Sequence, residues 1–459
     1  MLSHESFEKS LSSRTIAVIG GGVTGEAVIR FLQTLGVHPI VVDEKSEIVA
    51  GIPTTKVAPV CDLAILSPGW KPTHPIISSL RSAGTEILSE IDFAWRIKEE
   101  RAPHQKWVAI TGTNGKTTTT QMLESIFEKS GIRATVCGNV GRTVVEVVSQ
   151  AEPYVFLGLE LSSFQIEWSN EAHFSASAIL NIAEDHVDWH GSFEEYAKAK
   201  LKLLSHSDLA ILNGDDPELA VRTPAIRGEK ILYSLETPGA GEIGLVENLL
   251  VDRAFVADPM HAESFAELAD IKPTVPHNVS NACAAAALAL ALGLTHSQVK
   301  SGLSAFILDH HRMELVLEHD GISWINDSKA TNPHAAAASI MSHHNVIWIA
   351  GGLAKGADMD PLIARVCVRL KKVIVIGSDG PLIISALAKQ APQIPVLQVE
   401  KNSSSENFMD EIVRVAKDIA EAGDVVLLAP ACASMDQFIS YAQRGSLFVD
   451  SVRRIVGEA

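Results

Sequence analysis

The sequence predicts an α/β protein of three domains, each built on a sheet of mostly parallel strands. Length is the first observation, because 459 residues at roughly 150 residues per domain make about three. The second is that short β-rich runs alternate with helical patterns in three successive blocks. The third is positional: nearly every polar motif follows directly after an apolar strand. GGGVTG, SPGW, TGTNGKTTTT, GNVG, ELSSFQ, NIAEDH, NDSKATNP, GGLAKGAD and APACAS all do so. In open α/β sheets ligands bind beyond the carboxyl ends of the strands, where such loops converge.

The first block, residues 1–104, has TIAVIGG, PIVVDE, DLAILSPG and EILSE as strands and runs out in the charged stretch RIKEERAPHQK at 96–106. The second, 105–308, opens with WVAITG and continues with ATVCGN, YVFLGLELS, ASAILNIAED and LAILNGDD. It closes with an Ala-rich helix from Val279 and a shorter one near 296–306. The third, 309–459, has ISWIND, VIWIAGG, KVIVIG and DVVLLAPA. No low-complexity segment or short-period repeat is present.

Composition narrows the function. With 38 basic and 55 acidic residues the formal charge is −17, which argues against non-specific nucleic-acid or anionic-membrane binding. The five cysteines are scattered without CxxC spacing, so neither a disulfide framework nor a zinc site is indicated. The N-terminal residues lack a basic segment followed by an apolar one, and the apolar run Asn281–Leu294 is too short to span a bilayer. A cytoplasmic protein is expected.

The clearest chemical signal is Gly112-Thr113-Asn114-Gly115-Lys116-Thr117-Thr118, between the strand WVAIT and a helix whose Met122, Leu123, Ile126 and Phe127 share one face. A glycine turn entering a helix N-terminus aims backbone N–H groups and the positive dipole end at an anion. Lys116 supplies a charge for the β- and γ-phosphates, and the Thr117 hydroxyl can ligate Mg²⁺. Ile110 stands where the strict GxxxxGK[ST] pattern has glycine, so this is a variant of that loop.

Gly20-Gly21-Gly22-Val23-Thr24-Gly25 satisfies GxGxxG after the strand TIAVI, with Asp43 ending the next strand. The pattern fits a dinucleotide and an NAD-dependent oxidoreductase. The same turn also seats other nucleotide diphosphates, and the rest of the chain supplies phosphoryl-transfer parts rather than a hydride-transfer site. A nucleotide-linked substrate is the better reading, with Asp43 near its ribose or base. A nucleotide-binding module without catalysis is the other rival.

Phosphoryl transfer to a carboxylate needs Mg²⁺ to offset the transferring charge. Glu160, ending YVFLGLE, is placed as a Walker-B-like acid, with a capping carboxylate as the alternative. Asp185-His186-Val187-Asp188-Trp189-His190 has His, Asp and His at alternate positions, a zinc-hydrolase spacing that finds no partnering motif elsewhere. One imidazole, His186, near the metal and phosphate is preferred. Lys200, in FEEYAKAKL, is by default a solvated helix lysine.

TGTNGKTTTT, GNVG, ELSSFQ, NIAEDHVDWHG with YAKAK, HNVSNACAAA, HHRME and NDSKATNPHA together resemble, in order and over essentially the whole chain, the Mur ligases of bacterial peptidoglycan synthesis. ELSSFQ, NDSKATN, GGLAKGAD and APACASMDQF are most similar to the branch that adds D-glutamate. The resemblance implies a Rossmann-like UDP-binding domain, a central P-loop ATPase-type domain and a C-terminal Rossmann-like amino-acid domain. It implies an ATP-dependent ligase that activates the carboxylate of UDP-N-acetylmuramoyl-L-alanine as an acyl phosphate, which the D-glutamate amine attacks. Another amino-acid-adding ligase of the family is the alternative.

By motif, the resemblance places Lys116, His186 and Lys200 in catalysis, with two Mg²⁺ held by Thr117, Glu160, His186 and a carbamate formed from CO₂ on Lys200. It implies ATP contacts from Gly112 to Thr118 and from Asn278, Asn281, Arg312, Asp327 and Lys329. It puts Val23, Thr24, Asp43, Ser67, Asn139 and Ser162 at the UDP-linked substrate, and Thr331, Lys355, Ser434 and Tyr441 at D-glutamate. The GGGVTGEA loop and the Glu44-Lys45 pair depart from the family's uracil surroundings. A monomer is expected, closing on its ligands about hinges near 98–106 and 308–312.

Overall fold

A computed structural model describes residues 6–258, 260–401 and 403–457. Among them the chain forms three sheets and two compact units, residues 1–274 with 278–306, and 275–277 with 307–459.

The first unit holds two sheets. The six-stranded sheet runs Ile48–Val49, Ile52–Thr55, Ile40–Val42, Ile16–Ile19, Leu63–Leu66, Glu86–Ser89 from edge to edge. Its strands are parallel except for the antiparallel pair at the 48–55 edge. Strand Ile16–Ile19 lies between partners that follow it in sequence on either side, so the loops after Ile19, Val42 and Leu66 open at the point where strand order reverses. Both neighbours and both faces are covered, and IAVI is buried throughout.

The second sheet has nine strands in the order Glu263–Glu267, Leu249–Asp252, Glu242–Val246, Glu229–Tyr233, Leu209–Asn213, Ala176–Ile179, Lys106–Thr111, Phe156–Glu160, Ala134–Gly138. The strands from 229 to 267 are absent from the sequence reading. EKILY, EIGLV, LLVD and ESFAE carry charges at their ends and lack the long apolar runs of the central strands. Two of their pairings are antiparallel, so the sheet is mixed. The Ala-rich helix spans Pro276–Ala291, starting three residues before the expected Val279, with proline at the opening position where its missing N–H costs nothing.

The charged stretch at 96–106, where the first block was expected to run out, begins as the end of a helix, Glu90–Arg101. Its charges are used: Arg96 forms ion pairs with Glu86 and Glu171, and Arg101 with Glu8. Asp92 accepts from the N–H groups of Asn170, Glu171 and Ala172. One buried cluster runs from Val18 and Leu63 through Phe93 and Ile97 to Trp107, Ala109 and Leu159. The two sheets therefore share a core across the 98–106 segment, and a hinge there would have to open it. Opening at that point would expose apolar groups that are buried together here.

The second unit is built on six strands in the order Glu314–His319, Ile322–Asn326, Val425–Leu428, Val346–Gly351, Leu370–Ile376, Val396–Gln398, all parallel but the first pair. Apolar clusters cover both faces, one around Trp348 and Leu427, the other around Trp324, Phe408 and Phe448. The loops after Asn326, Gly351 and Leu428 leave the carboxyl ends of three adjacent strands.

Candidate active site

In the nine-stranded sheet, Ile179 pairs with Thr111, and Glu160 pairs with both Ile110 and Gly138. Four neighbouring strands thus end level, and the loops carrying Asn181 to His186, Gly112 to Lys116, Glu160 to Ser162, and Asn139 converge.

Gly115 enters the helix Lys116–Ser130 with φ +83°, and a Cβ there would lie 2.5 Å from Asn281 Oδ1. Only glycine meets both demands. The loop before it is clasped by Asn181, whose Oδ1 accepts from the Asn114 N–H at 2.8 Å while its Nδ2 donates to the Asn114 carbonyl at 3.0 Å. Thr113 Oγ1 pairs with Tyr196 Oη at 2.9 Å and accepts from the Ala183 N–H. Lys116 Nζ folds onto its own loop, donating to the Gly112 carbonyl at 2.7 Å and that of Thr113 at 2.9 Å. Thr117 and Thr118 begin the helix; Thr118 is buried and Thr117 half-buried.

Glu160 is 1% exposed, and its two oxygens differ. Oε1 accepts from Asn139 Nδ2 at 3.0 Å, whereas Oε2 is buried with no hydrogen-bond partner. An orphaned carboxylate oxygen in a buried site is costly unless a cation or donor arrives. Lys200, also 1% exposed, reaches in from the helix Phe193–Lys202 and donates to the Gly112 carbonyl at 2.8 Å. Burial, then the nearby charge of Lys116, holds its pKa well below the ordinary lysine value.

His186 has φ +52° and is exposed, with its Nε2 3.6 Å from Asp185 and its ring 4.8 Å from that of Phe164. His190, four residues on, bonds Ser163 Oγ through Nε2 at 2.9 Å, and burial with the charges of His186 and Lys200 pushes its pKa down to about 4. Ser162 is the N-cap of the helix Ser163–Trp168, its hydroxyl engaged with Gln165. Among the described residues no three His, Cys, Asp or Glu side chains gather into a metal-binding group. The expected metal set has only two such side chains, in keeping with Mg²⁺, which keeps several waters.

In the six-stranded sheet of this unit, Val23 is 75% exposed and Thr24 half-buried at the start of the helix Val23–Thr34. A Cβ on Gly25 would sit 1.8 Å from the Gly20 carbonyl, so the turn requires that glycine. Ser67 Oγ donates to the same carbonyl at 2.9 Å. Asp43 accepts from the N–H groups of Gly21, Lys45 and Ser46 at 2.7, 2.8 and 2.7 Å. Burial raises its pKa, but those three donors outweigh it and hold the carboxyl below its usual range. Asn278 is buried, its Nδ2 donating to the Pro273 carbonyl at 3.2 Å, and Asn281 is buried against the phosphate loop.

In the second unit, burial pushes the Asp327 carboxyl up to about 6 against the pull of Ser339 and Arg312. Lys329 Nζ lies 3.9 Å over the Tyr441 ring, and the Thr331 N–H donates to the Lys329 carbonyl at 2.8 Å. Lys355 is exposed at φ +52°. Ser434 is 1% exposed, and its Oγ has no partner. Arg444, fully buried, spans the loops behind these residues. Its guanidinium donates to Ser328 Oγ, the Ser328 carbonyl and the Cys432 carbonyl at 3.0 to 3.3 Å. Burial lowers its pKa to about 10.

Sequence reasoning missed Asn181, Tyr196, His190 and Arg444 as contributors. Asn181 had a signal, since it directly follows the strand ASAIL. Arg444, inside the helix Tyr441–Ile455, had none.

The family described as Mur ligase middle domain matches residues 110–289, and that described as Mur ligase, glutamate ligase domain matches 311–432. The UDP-N-acetylmuramoylalanine–D-glutamate ligase of Thermobifida fusca is 43% identical over 97% of this chain and 100% of its own length. That of Streptomyces coelicolor is 40% identical over 97% and 98%. Among solved structures, the UDP-N-acetylmuramate-alanine ligase of Thermotoga maritima is similar at a TM-score of 0.58 and 20% identity, over 96% of this chain and 100% of that one. A pseudomurein peptide ligase of type C from Methanothermus fervidus is similar at 0.61 and 18%, over 97% and 99%. These two likenesses bear on the fold.

Proposed function

The chain belongs to the Mur ligase family, and from that premise we propose that it joins D-glutamate to UDP-N-acetylmuramoyl-L-alanine, with ATP cleaved to ADP and phosphate, in peptidoglycan precursor synthesis. The observation that carries the chemistry is the convergence of Lys116, the unpartnered Glu160 oxygen and the buried Lys200 at the ends of adjacent strands. A phosphate cradle beside groups suited to a divalent cation is what phosphoryl transfer to a carboxylate requires.

In this reading residues 1–104 bind the UDP-linked substrate, 105–308 bind ATP and 309–459 bind the amino acid. Loop N–H groups from Gly112 to Thr118 hold the phosphates, and Lys116 swings from its loop carbonyls to the γ-phosphate. Asn278, Asn281, Arg312, Asp327 and Lys329 hold the rest of ATP. Val23, Thr24, Asp43, Ser67, Asn139 and Ser162 orient the UDP-linked substrate. Thr331, Lys355, Ser434 and Tyr441 receive D-glutamate, with the buried hydroxyl of Ser434 free to donate to a carboxylate.

Thr117, Glu160, His186 and a carbamate on Lys200 would hold two Mg²⁺. When bound, these ions offset the negative charge that builds between the substrate carboxylate and the γ-phosphate. The unpartnered Glu160 oxygen supports that fit. Carbamylation needs a neutral amine, which burial favours at Lys200. The nitrogen lone pair attacks CO₂ and one proton is released, turning a group that repels cations into one that attracts them. Among the described residues no helix is long and apolar enough to cross a membrane. From the family membership, we propose a cytoplasmic monomer.

The test is phosphate release from ATP and Mg²⁺ with UDP-N-acetylmuramoyl-L-alanine, comparing D-glutamate with L-glutamate, L-alanine, L-lysine and diaminopimelate. Stimulation by D-glutamate alone is expected. Stimulation by a different amino acid would move the chain to another branch of the family, and none by any would overturn the reading.

A further inference from the structure

The segment 187–190 is a single helical turn, VDWH, entered through His186 at φ +52° and left through Gly191 at φ +90°. One turn of helix does not hold itself in water, because nucleation is unfavourable. Its position is therefore set by what its side chains and carbonyls touch, and those contacts come from two directions.

On one side stands the loop after strand Leu63–Leu66, which carries Ser67. Trp189 Nε1 donates to the Gly69 carbonyl at 3.2 Å, and Lys71 Nζ donates to the Asp188 carbonyl at 2.8 Å. The loop thus grips the turn once as acceptor and once as donor. On the other side stand the groups around the phosphate loop. The Trp189 ring lies 4.6 Å from Phe164 and 4.5 Å from His190. Phe164 also touches His186, at 4.8 Å. The His190 ring is 5.4 Å from Tyr196, whose hydroxyl bonds Thr113 and whose ring lies 4.7 Å beneath Lys200 Nζ. An unbroken set of contacts thus leads from Gly69 to Thr113 and Lys200.

We infer that the 187–190 turn is a positioning peg, latched by Trp189 and Lys71, that couples the loop 67–71 receiving the UDP-linked substrate to the phosphate-loop centre that receives ATP. Trp189 and Lys71 are positioning residues; neither needs to touch a reacting atom. The inference rests on the proposed function, because it takes the occupants of the two loops from there. The latch works through differential contact: a substrate seated on loop 67–71 fixes Gly69 and Lys71, and with them the turn and His186. By linkage the effect is reciprocal, so ATP must tighten the UDP-linked substrate by the same factor.

The experiment is calorimetric titration of the full chain with UDP-N-acetylmuramoyl-L-alanine and with a non-hydrolysable ATP analogue plus Mg²⁺, each alone and each in the presence of the other. The wild type is expected to bind each ligand more tightly when the other is present, by roughly fivefold if the latch carries about one hydrogen bond's worth of coupling. Trp189→Phe keeps an aromatic ring and loses the indole N–H, and Lys71→Met keeps most of the apolar stem and loses the ammonium. In both, the coupling factor should fall towards one while each ligand alone binds within about twofold of wild type. A merely structural role would weaken single-ligand binding and leave the factor unchanged. Equal coupling factors in wild type and both variants, or none in the wild type, would overturn the inference while leaving the ligase reading intact. Failure of the wild type to bind the UDP-linked substrate at all would overturn both.

Discussion

Lys116 and Lys200 donate to one oxygen: the Gly112 carbonyl accepts from both ammonium nitrogens, at 2.7 and 2.8 Å. Two like charges on one acceptor, one of them fully buried, favour loss of charge at the buried one. Lys200→Ala is expected to be nearly inactive and partly rescued by formate, a carboxylate small enough to occupy the vacated space. Assays with and without formate decide it, and full activity in the unrescued variant would show that a carbamate is dispensable.

Lys116→Ala should remove turnover, by about a hundredfold or more, the usual scale for losing one group that stabilises developing negative charge. Affinity for the UDP-linked substrate, measured by calorimetry, should stay within about twofold. Near-normal turnover would sink the phosphate-loop assignment.

Gly115→Ala places a methyl at φ +83° and 2.5 Å from Asn281 Oδ1. Backbone strain of roughly 1–3 kcal/mol is expected, together with a displaced Asn281. The ATP KM should rise at least tenfold, and thermal unfolding should report the lost stability.

Glu90 supplies a pH dependence. It is 3% exposed and accepts from the Val145 N–H at 2.9 Å, tying the helix Glu90–Arg101 to the helix Val144–Val148. Burial pushes its carboxyl from the ordinary 4.5 up to about 7, although the Val145 and Val144 N–H groups pull the other way. The native protein therefore keeps a proton that the unfolded chain has released. Its contribution is full below about 4.5 and is lost as pH rises through 7, on the order of 3 kcal/mol at most. Denaturant titrations between pH 5 and 8 should show Glu90→Gln losing less stability over that window than wild type. Parallel curves would refute the assignment.

Arg444→Met would leave the Ser328 and Cys432 carbonyls buried without a donor. A loss of roughly 2–4 kcal/mol is expected for two such groups. Because those loops carry Thr331 and Ser434, assigned to D-glutamate, and only Lys329 of the ATP set, the D-glutamate KM should rise more than the ATP KM. Equal shifts in both would point to general loosening of the second unit.

Much of this was legible along the chain. Gly112 to Thr118 announce a phosphate loop because the chemistry needs consecutive N–H groups, and consecutive groups are a sequence property. Asn114 and Asn181, by contrast, lie 67 positions apart and meet because strands Lys106–Thr111 and Ala176–Ile179 are neighbours in register. The edge strands from 229 to 267 escaped because their stability comes from pairing beside Leu209–Asn213, not from an apolar run of their own. The charged stretch at 96–106 read as a block boundary because the ion pairs of Arg96 and Arg101 to Glu86, Glu171 and Glu8 are invisible until those residues are brought near.

The sequence by itself determined the α/β class, the strand–motif alternation and the residue types that phosphoryl transfer demands, since periodicity and local turn chemistry follow from neighbouring residues. Tertiary structure decided which of Glu160's oxygens lacks a partner, that two lysines share one carbonyl, and that the first two sheets share one buried cluster. Burial and charge proximity depend on atoms distant in the chain, so only the folded arrangement could set them.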